Sequence, residues 1–275
     1  MPLSINTNIA SLSAQRSFLN SNSALETAYE RLSSGKRINS AVDDAAGLAI
    51  GTDLTSRVSG LNQAVRNVND GISMLQITEG AYEETTTILQ RLRDLAVQAA
   101  SGGLTTKETG YISAEHSKLV SAFDKALDQA KFGNVTLVNG AVAATIHAGA
   151  DAGDTIAITL STADLDDASS VTVGTSNMTL SAAGASAALV KIDAALDSIA
   201  SHRASLGAQQ AQLESTVRNL SNVAENTAAA AGRIMDTDYA AETANLTKAQ
   251  ILQQAATSVL AQANAQPQAV LSLLQ

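Results

Sequence analysis

Leu54-Thr-Ser-Arg-Val58-Ser-Gly-Leu61-Asn-Gln-Ala-Val65-Arg-Asn-Val68-Asn-Asp-Gly-Ile72-Ser-Met-Leu75 places a large apolar side chain at alternating spacings of four and three residues, without a break. That repeat is the seam of a long helix packed lengthwise against other long helices. Leu54, Val58, Leu61, Val65, Val68, Ile72 and Leu75 are therefore assigned as a core seam. Ordering the backbone costs about 1–2 kcal/mol per residue, more than one stripe can return by itself. The helix requires partners.

A second series answers it: Ile192, Leu196, Ile199, Arg203, Leu206, Gln210, Leu213, Val217, Leu220, Ala224, Thr227, Ala231 and Ile234. Arg203, Gln210 and Thr227 interrupt it, which makes this seam looser or turns part of it towards another subunit.

Composition narrows the function. The chain has 275 residues and is 45% hydrophobic, enough for one or two domains with a core. Aromatic residues make up only 3% and Trp is absent, whereas enzyme pockets draw on aromatics and clustered titratable groups. A formal charge of −9 opposes nucleic-acid binding, which needs a basic face. Without cysteine there is no disulfide or thiol chemistry. Met1–Ala10 carries no charge and lacks the features of a secretory signal peptide. No apolar run reaches the length of a membrane span. On these features alone the chain reads as cytoplasmic.

From the start, Ile5, Ile9, Leu12, Phe18, Leu25, Tyr29 and Leu32 keep helical spacing up to Gly35, where the helix breaks. Asp43 and Asp44 stand where carboxylates cap the next helix. A metal pair is the sharper reading of them, but no ligand lies at a fitting spacing. The long helix runs from about Ala45 towards Ala100, and its glycines suggest close helix approach or a bend near Gly80. Thr105-x-x-Glu108 is a capping box. It starts a helix with the seam Ile112, His116, Leu119, Phe123, Ala126 and Ala130.

From Asn134 the period shortens. Val135 and Leu137 before Asn139-Gly140, and the alternating Thr155–Leu160, read as strands; Val171–Val173 and Met178–Leu180 are short candidates. The Ser/Thr-rich patch Ser161–Ser186 reads as a soluble loop, with O-linked sugar as the sharper alternative. Helix resumes near Ala187 and runs to Ile234. After Asp236-Thr237-Asp238 a last helix follows, with no Asp, Glu, Lys or Arg from Ala249 to Gln275 and an expected kink at Pro267.

The fold class is mainly α: a long antiparallel helical coiled-coil bundle with a small β-hairpin region and paired N- and C-terminal helices. Both terminal helices are nearly uncharged, so self-association outweighs membrane-surface binding, which favours Lys/Arg on the polar face. The histidines His116, His147 and His202 form no metal motif in sequence, and no phosphate loop or nucleophile elbow is present. No catalytic residue, metal site or cofactor is expected.

Specific motifs stand at both ends. Ile5-Asn6-Thr7-Asn8, Ala14-Gln15-Arg16, Glu30-Arg31-Leu32-Ser33-Ser34-Gly35-Lys36-Arg37-Ile38-Asn39-Ser40-Ala41 and Asp43-Asp44-Ala45-Ala46-Gly47-Leu48-Ala49-Ile50 form the first set. Leu206-Gly207-Ala208, Leu213-Glu214-Ser215, Arg233-Ile234, Leu246-Thr247-Lys248 and Gln250-Ile251-Leu252-Gln253-Gln254 form the second. Together they resemble bacterial flagellin, in a short form without large outer domains.

That resemblance implies the following. Residues 1–43 and 236–275 would form the inner-tube helical domain, with Ile5, Ile9, Leu12, Leu252, Val259, Leu260, Leu271 and Leu274 in assembly. Residues 44–133 would be core-domain long helices, 134–186 a small β-rich region and 187–235 the C-terminal core helix. The chain would be a structural subunit of the flagellar filament, the alternatives being the hook–filament junction protein or another coiled-coil adaptor. It would be exported unfolded through the flagellar type III channel, without a cleaved signal peptide, to an extracellular filament. Its partners would be further copies of itself, an export chaperone, the export apparatus, and cap and junction proteins. Gln90, Arg91 and Leu95, with Glu115 on the next helix, resemble the segment read by the flagellin-sensing Toll-like receptor.

Overall fold

The computed structural model describes residues 8–101, 103–138, 142–160 and 182–272. Helices α1 (Ile9–Ser34), α2 (Ala45–Ala100) and α3 (Thr106–Gln129) come first. Two hairpins follow, β1 (Lys131–Phe132) with β2 (Val135–Thr136) and β3 (Val142–His147) with β4 (Thr155–Leu160), before α4 (Ala182–Met235) and α5 (Tyr239–Ser272). The chain is mainly α, with its terminal helices packed on each other and a small β region.

Local chemistry sets the helix ends. Asn8 caps α1 by accepting from the Ser11 amide at 3.1 Å. Gly35 closes that helix in the left-handed region, φ +71°, where a side chain is disfavoured. The Asp44 carboxylate caps α2 through the Gly47 amide, 2.9 Å, and Asp238 accepts from the Ala240 amide at the start of α5, 2.9 Å. Thr105 and Glu108 form the expected reciprocal box before α3.

Two compact units result, one of residues 1–57 with 225–275, the other of residues 58–224. In the second, the buried row of α2 is Leu61, Ala64, Val68, Gly71, Leu75, Thr78, Tyr82, Thr85, Leu89, Leu92, Ala96 and Ala99. Its spacings alternate three and four from end to end. Of the assigned seam, Leu61, Val68 and Leu75 lie in this row, while Leu54, Val58, Val65 and Ile72 are half-buried. The helix turns its small residues inward beside the large ones, so Ala64 and Gly71 take places that size alone would give to Val65 and Ile72.

The α4 helix lies antiparallel to α2, as its ion pairs show. Arg93 Nε donates to Asp193 Oδ1 at 2.7 Å and Arg203 Nε to Glu79 Oε1 at 2.8 Å. Arg203, a polar intrusion in the second seam, is thus placed by a partner on α2. Ile192, Ile199, Leu206, Leu213 and Leu220 fill the core between, joined by Phe123 of α3.

The β3–β4 hairpin is antiparallel, with Ile146 opposite Ile156. Asn67 Nδ2 donates to the His147 carbonyl at 3.2 Å, and Gln209 holds the Thr159 backbone at both its amide and its carbonyl. The close approach expected of the α2 glycines occurs at Gly71, against Ile146 and Ile158. At Gly80 nothing stands within 4 Å of an added Cβ, and α2 is one continuous helix through it.

Two boundaries differ from the sequence reading. Strand β1 begins at Lys131, before residue 134, because Gly133 (φ +60°) turns the chain into a two-stranded hairpin there. Helix α4 starts at Ala182 rather than near Ala187. The strand candidates Val171–Val173 and Met178–Leu180 lie outside the described residues.

Candidate assembly surface

In the unit of residues 1–57 and 225–275, α1 and α5 pair lengthwise. Small side chains line their contact: Ser11, Ala14 and Ala28 from α1, Ala249, Ala256 and Ala263 from α5. Polar side chains tie the edges. Asn8 Nδ2 donates to the Ala263 carbonyl at 2.7 Å, Ser11 Oγ to Asn264 Oδ1 at 2.8 Å and Gln253 Nε2 to Asn22 Oδ1 at 3.1 Å.

Many large apolar residues point the other way. Ile9 is 72% exposed and Val259 53%. Leu12, Leu19, Tyr29, Ile251 and Leu252 are exposed with them, and Leu260 is half-buried. A helix pair that folded for itself would put these groups inside, at about 1.5–3 kcal/mol for each full burial. Here alanine and serine fill most of the fully buried positions, Phe18, Leu25, Leu32 and Leu246 are half-buried, and other large apolar groups of both helices stay exposed. Large apolar side chains left exposed in number on both helices point to an interaction surface. Ile5 and Leu274 lie outside the described residues, as does the side chain of Leu271.

At one end of the pair the chain breaks between α1 and α2 and between α4 and α5 are stitched together. Lys36 and Asp236 form an isolated antiparallel bridge. The Arg37 amide donates to the Met235 carbonyl at 2.7 Å and the Thr237 amide to the Gly35 carbonyl at 3.0 Å. Arg37 Nη2 donates to the Ile234 carbonyl at 2.7 Å, and Ile38, next in the chain, is buried. Asp43, expected as a cap, instead folds the loop. It accepts from the amides of Asn39 and Ser40, and these bonds hold its carboxyl below the usual range.

The receptor-like residues separate into two groups. Gln90, Arg91 and Glu115 are exposed, and Arg91 Nη2 donates to Glu115 Oε1 at 2.6 Å, joining α2 to α3. Leu95 is only 2% exposed and packs with Ala99, Ile112 and Ala185. Ile88 and Leu92 are buried too. The row expected to face a partner is covered by α3 and α4 of the same chain, because α2 is sheathed on more than one side along this length. Leu95 therefore offers no surface to a receptor or a neighbouring copy.

His116, read from sequence as part of the α3 seam, is buried, and His202 is half-buried. His116 lies in the core of its unit, desolvation lowers its pKa, and its Nε2 has no hydrogen-bond partner. His202 stacks on Tyr82 with ring centroids 6.1 Å apart. Burial pushes the Tyr82 hydroxyl up to about 12. The 3.6-residue period puts both histidines on inward faces, a signal the sequence does carry. Among the described residues no three His, Cys, Asp or Glu side chains are grouped to hold a metal ion, and no helix is long and apolar enough to cross a membrane.

The fold and this surface define a helical chain whose paired ends carry large apolar groups outward. The bacterial flagellin N-terminal helical region matches residues 5–143 and the bacterial flagellin C-terminal helical region residues 189–274. The chain belongs to the bacterial flagellin family. It is 40% identical to a flagellin of Halalkalibacterium halodurans over 98% of this chain and 99% of that one. It is 38% identical to the flagellar filament 33 kDa core protein of Treponema phagedenis, again over 98% and 99%. A solved structure of a flagellar hook-associated protein from Vibrio parahaemolyticus superposes with a TM-score of 0.59 at 13% identity, covering 70% of this chain and all of that one. At that identity the likeness is one of fold alone.

Proposed function

We propose that the chain is a structural, non-catalytic subunit that polymerises into an extracellular flagellar filament. One observation carries this reading: the α1–α5 pair buries alanine and serine and leaves Ile9, Leu12, Leu19, Ile251, Leu252 and Val259 exposed. Such a pair is completed by other copies presenting the same surface, which would build an inner tube from the terminal helices. The hook–filament junction alternative shares the fold, but the relatives at 38–40% identity are a flagellin and a filament core protein.

Further partners follow from the family. Export unfolded through the flagellar type III apparatus, a chaperone holding the C-terminal helix beforehand, and contacts with cap and junction proteins belong to this reading. So does recognition of the free subunit by the flagellin-sensing Toll-like receptor, through exposed Gln90, Arg91 and Glu115. Deleting residues 249–275 tests the proposal. The truncated chain keeps the helical circular dichroism of the unit of residues 58–224 but no longer sediments as polymer. Filaments grown from it would overturn the tube assignment.

A further inference from the structure

Glu242, Ala249, Ala256 and Ala263 are buried and stand seven residues apart along α5. Seven residues make two turns, so the four share one line on the helix. Alanine presents the same small knob at each of its positions. Sliding α5 by seven residues along α1 would put Ala249 where Ala256 was and Ala256 where Ala263 was, leaving that packing nearly unchanged. The alanine seam by itself does not say which register is correct; at one end the Gly35–Thr237 and Arg37–Met235 backbone bonds pin it.

Glu242 breaks the degeneracy between the helices themselves. It continues the alanine line with a carboxylate whose side chain is 10% exposed, and Arg31 Nη1 of α1 stands 3.9 Å away. Arg31 Nε is buried and has no hydrogen-bond partner. A slip of seven residues carries Glu242 about 10 Å from Arg31. It would leave a buried carboxylate against an alanine-lined seam, away from the half-buried Arg31 guanidinium that faces it, a costly placement for an ion. A single polar group placed in an apolar seam fixes register in coiled coils by this logic.

We propose that Arg31 and Glu242, acting with the Lys36–Asp236 bridge, set the axial register of α1 against α5, as positioning residues for the paired ends. The inference rests on the pairing of these two helices within one chain, independently of whether copies polymerise.

Since the chain has no cysteine, introduced thiols can report the register in the full-length protein with a short bis-maleimide. Ser11→Cys with Asn264→Cys reports the native register, since these side chains touch at 2.8 Å. Ser11→Cys with Thr257→Cys reports a slip of one heptad. In the otherwise unaltered chain the native pair should bridge at least about tenfold more than the slipped pair. Glu242→Ala should lower that ratio by at least about threefold. Arg31→Glu combined with Glu242→Arg should restore the original preference. If Glu242→Ala abolishes both cross-links and the charge swap recovers the native one, the pair is also supported. An unchanged ratio in Glu242→Ala, or loss of pairing that the swap does not rescue, overturns the proposal.

Discussion

Gly71 lies directly beneath Ile146: a Cβ added to the glycine would run into the Ile146 Cδ1 atom and come within 3.1 Å of Ile158 Cδ1. The hairpin β3–β4 sits on α2 at this bare patch of backbone. Gly71→Val should therefore lower stability by about 1–3 kcal/mol through overpacking. Gly80→Ala, where the added methyl meets open space, should raise it by about 0.5–1 kcal/mol through helix propensity. Thermal unfolding of the two variants beside the parent gives both signs; equal melting would mean the hairpin does not rest on Gly71.

The buried row predicts a graded response to charge. Val68 is fully buried, so Val68→Asp should cost several kcal/mol and abolish cooperative melting. Val65 is half-buried beside it, and Val65→Asp should do less, since its carboxylate can reach water. Denaturant unfolding decides the order, and a larger loss at Val65 would restore the seam read from large residues alone.

The contrast between these two valines shows what the sequence makes legible. The alternating period of Leu54–Leu75 reveals a long packed helix, and Gly35, Asp44 and Thr105/Glu108 reveal where helices stop and start. The centre of the seam is less visible, because Ala64, Gly71, Thr78 and Thr85 are small or polar and hydrophobicity gives them no weight. Their burial depends on how closely α4 and the hairpin approach, which is a tertiary fact. Leu95 fails for a related reason: a second apolar row on a helix says that something covers it, without saying whether that is α3 or another molecule. At the terminal helices the period shows an apolar stripe, but only the packed pair shows alanine inside and isoleucine, leucine and valine outside.

His116 predicts a pH effect. Burial lowers its pKa in the folded chain, while the unfolded chain titrates near the ordinary value of about 6.5. Between the folded value and about 6.5 the unfolded state binds more protons, so stability rises with pH across that window. The contribution is fully present above about pH 6.5 and is lost as pH falls below it. Melting temperature should drop on acidification from pH 7 to 5, and His116→Gln should flatten that slope relative to the parent. The same slope in both proteins would remove His116 as the cause.

Arg91 and Leu95 should behave oppositely in a receptor assay and a melt. The Arg91–Glu115 pair is about half exposed on both sides, so Arg91→Ala should change stability by no more than about 1 kcal/mol while weakening receptor signalling by the free subunit. Leu95→Ala should cost about 2–5 kcal/mol by opening a cavity against Ile112 and Ala185, and should affect signalling only through folding. A reporter-cell assay run beside thermal unfolding separates them, and unchanged signalling in Arg91→Ala would remove the receptor reading.

The central claim is that the outward apolar face of the α1–α5 pair is completed by further copies of the chain. Its most direct test is electron microscopy of the purified full-length protein beside Leu252→Ser/Val259→Ser, each brought into sulfate, which strengthens apolar burial. The account predicts long tubular filaments from the parent chain. It predicts dispersed folded subunits with unaltered helical circular dichroism from the double variant. Filaments of equal length and number from both proteins would contradict it.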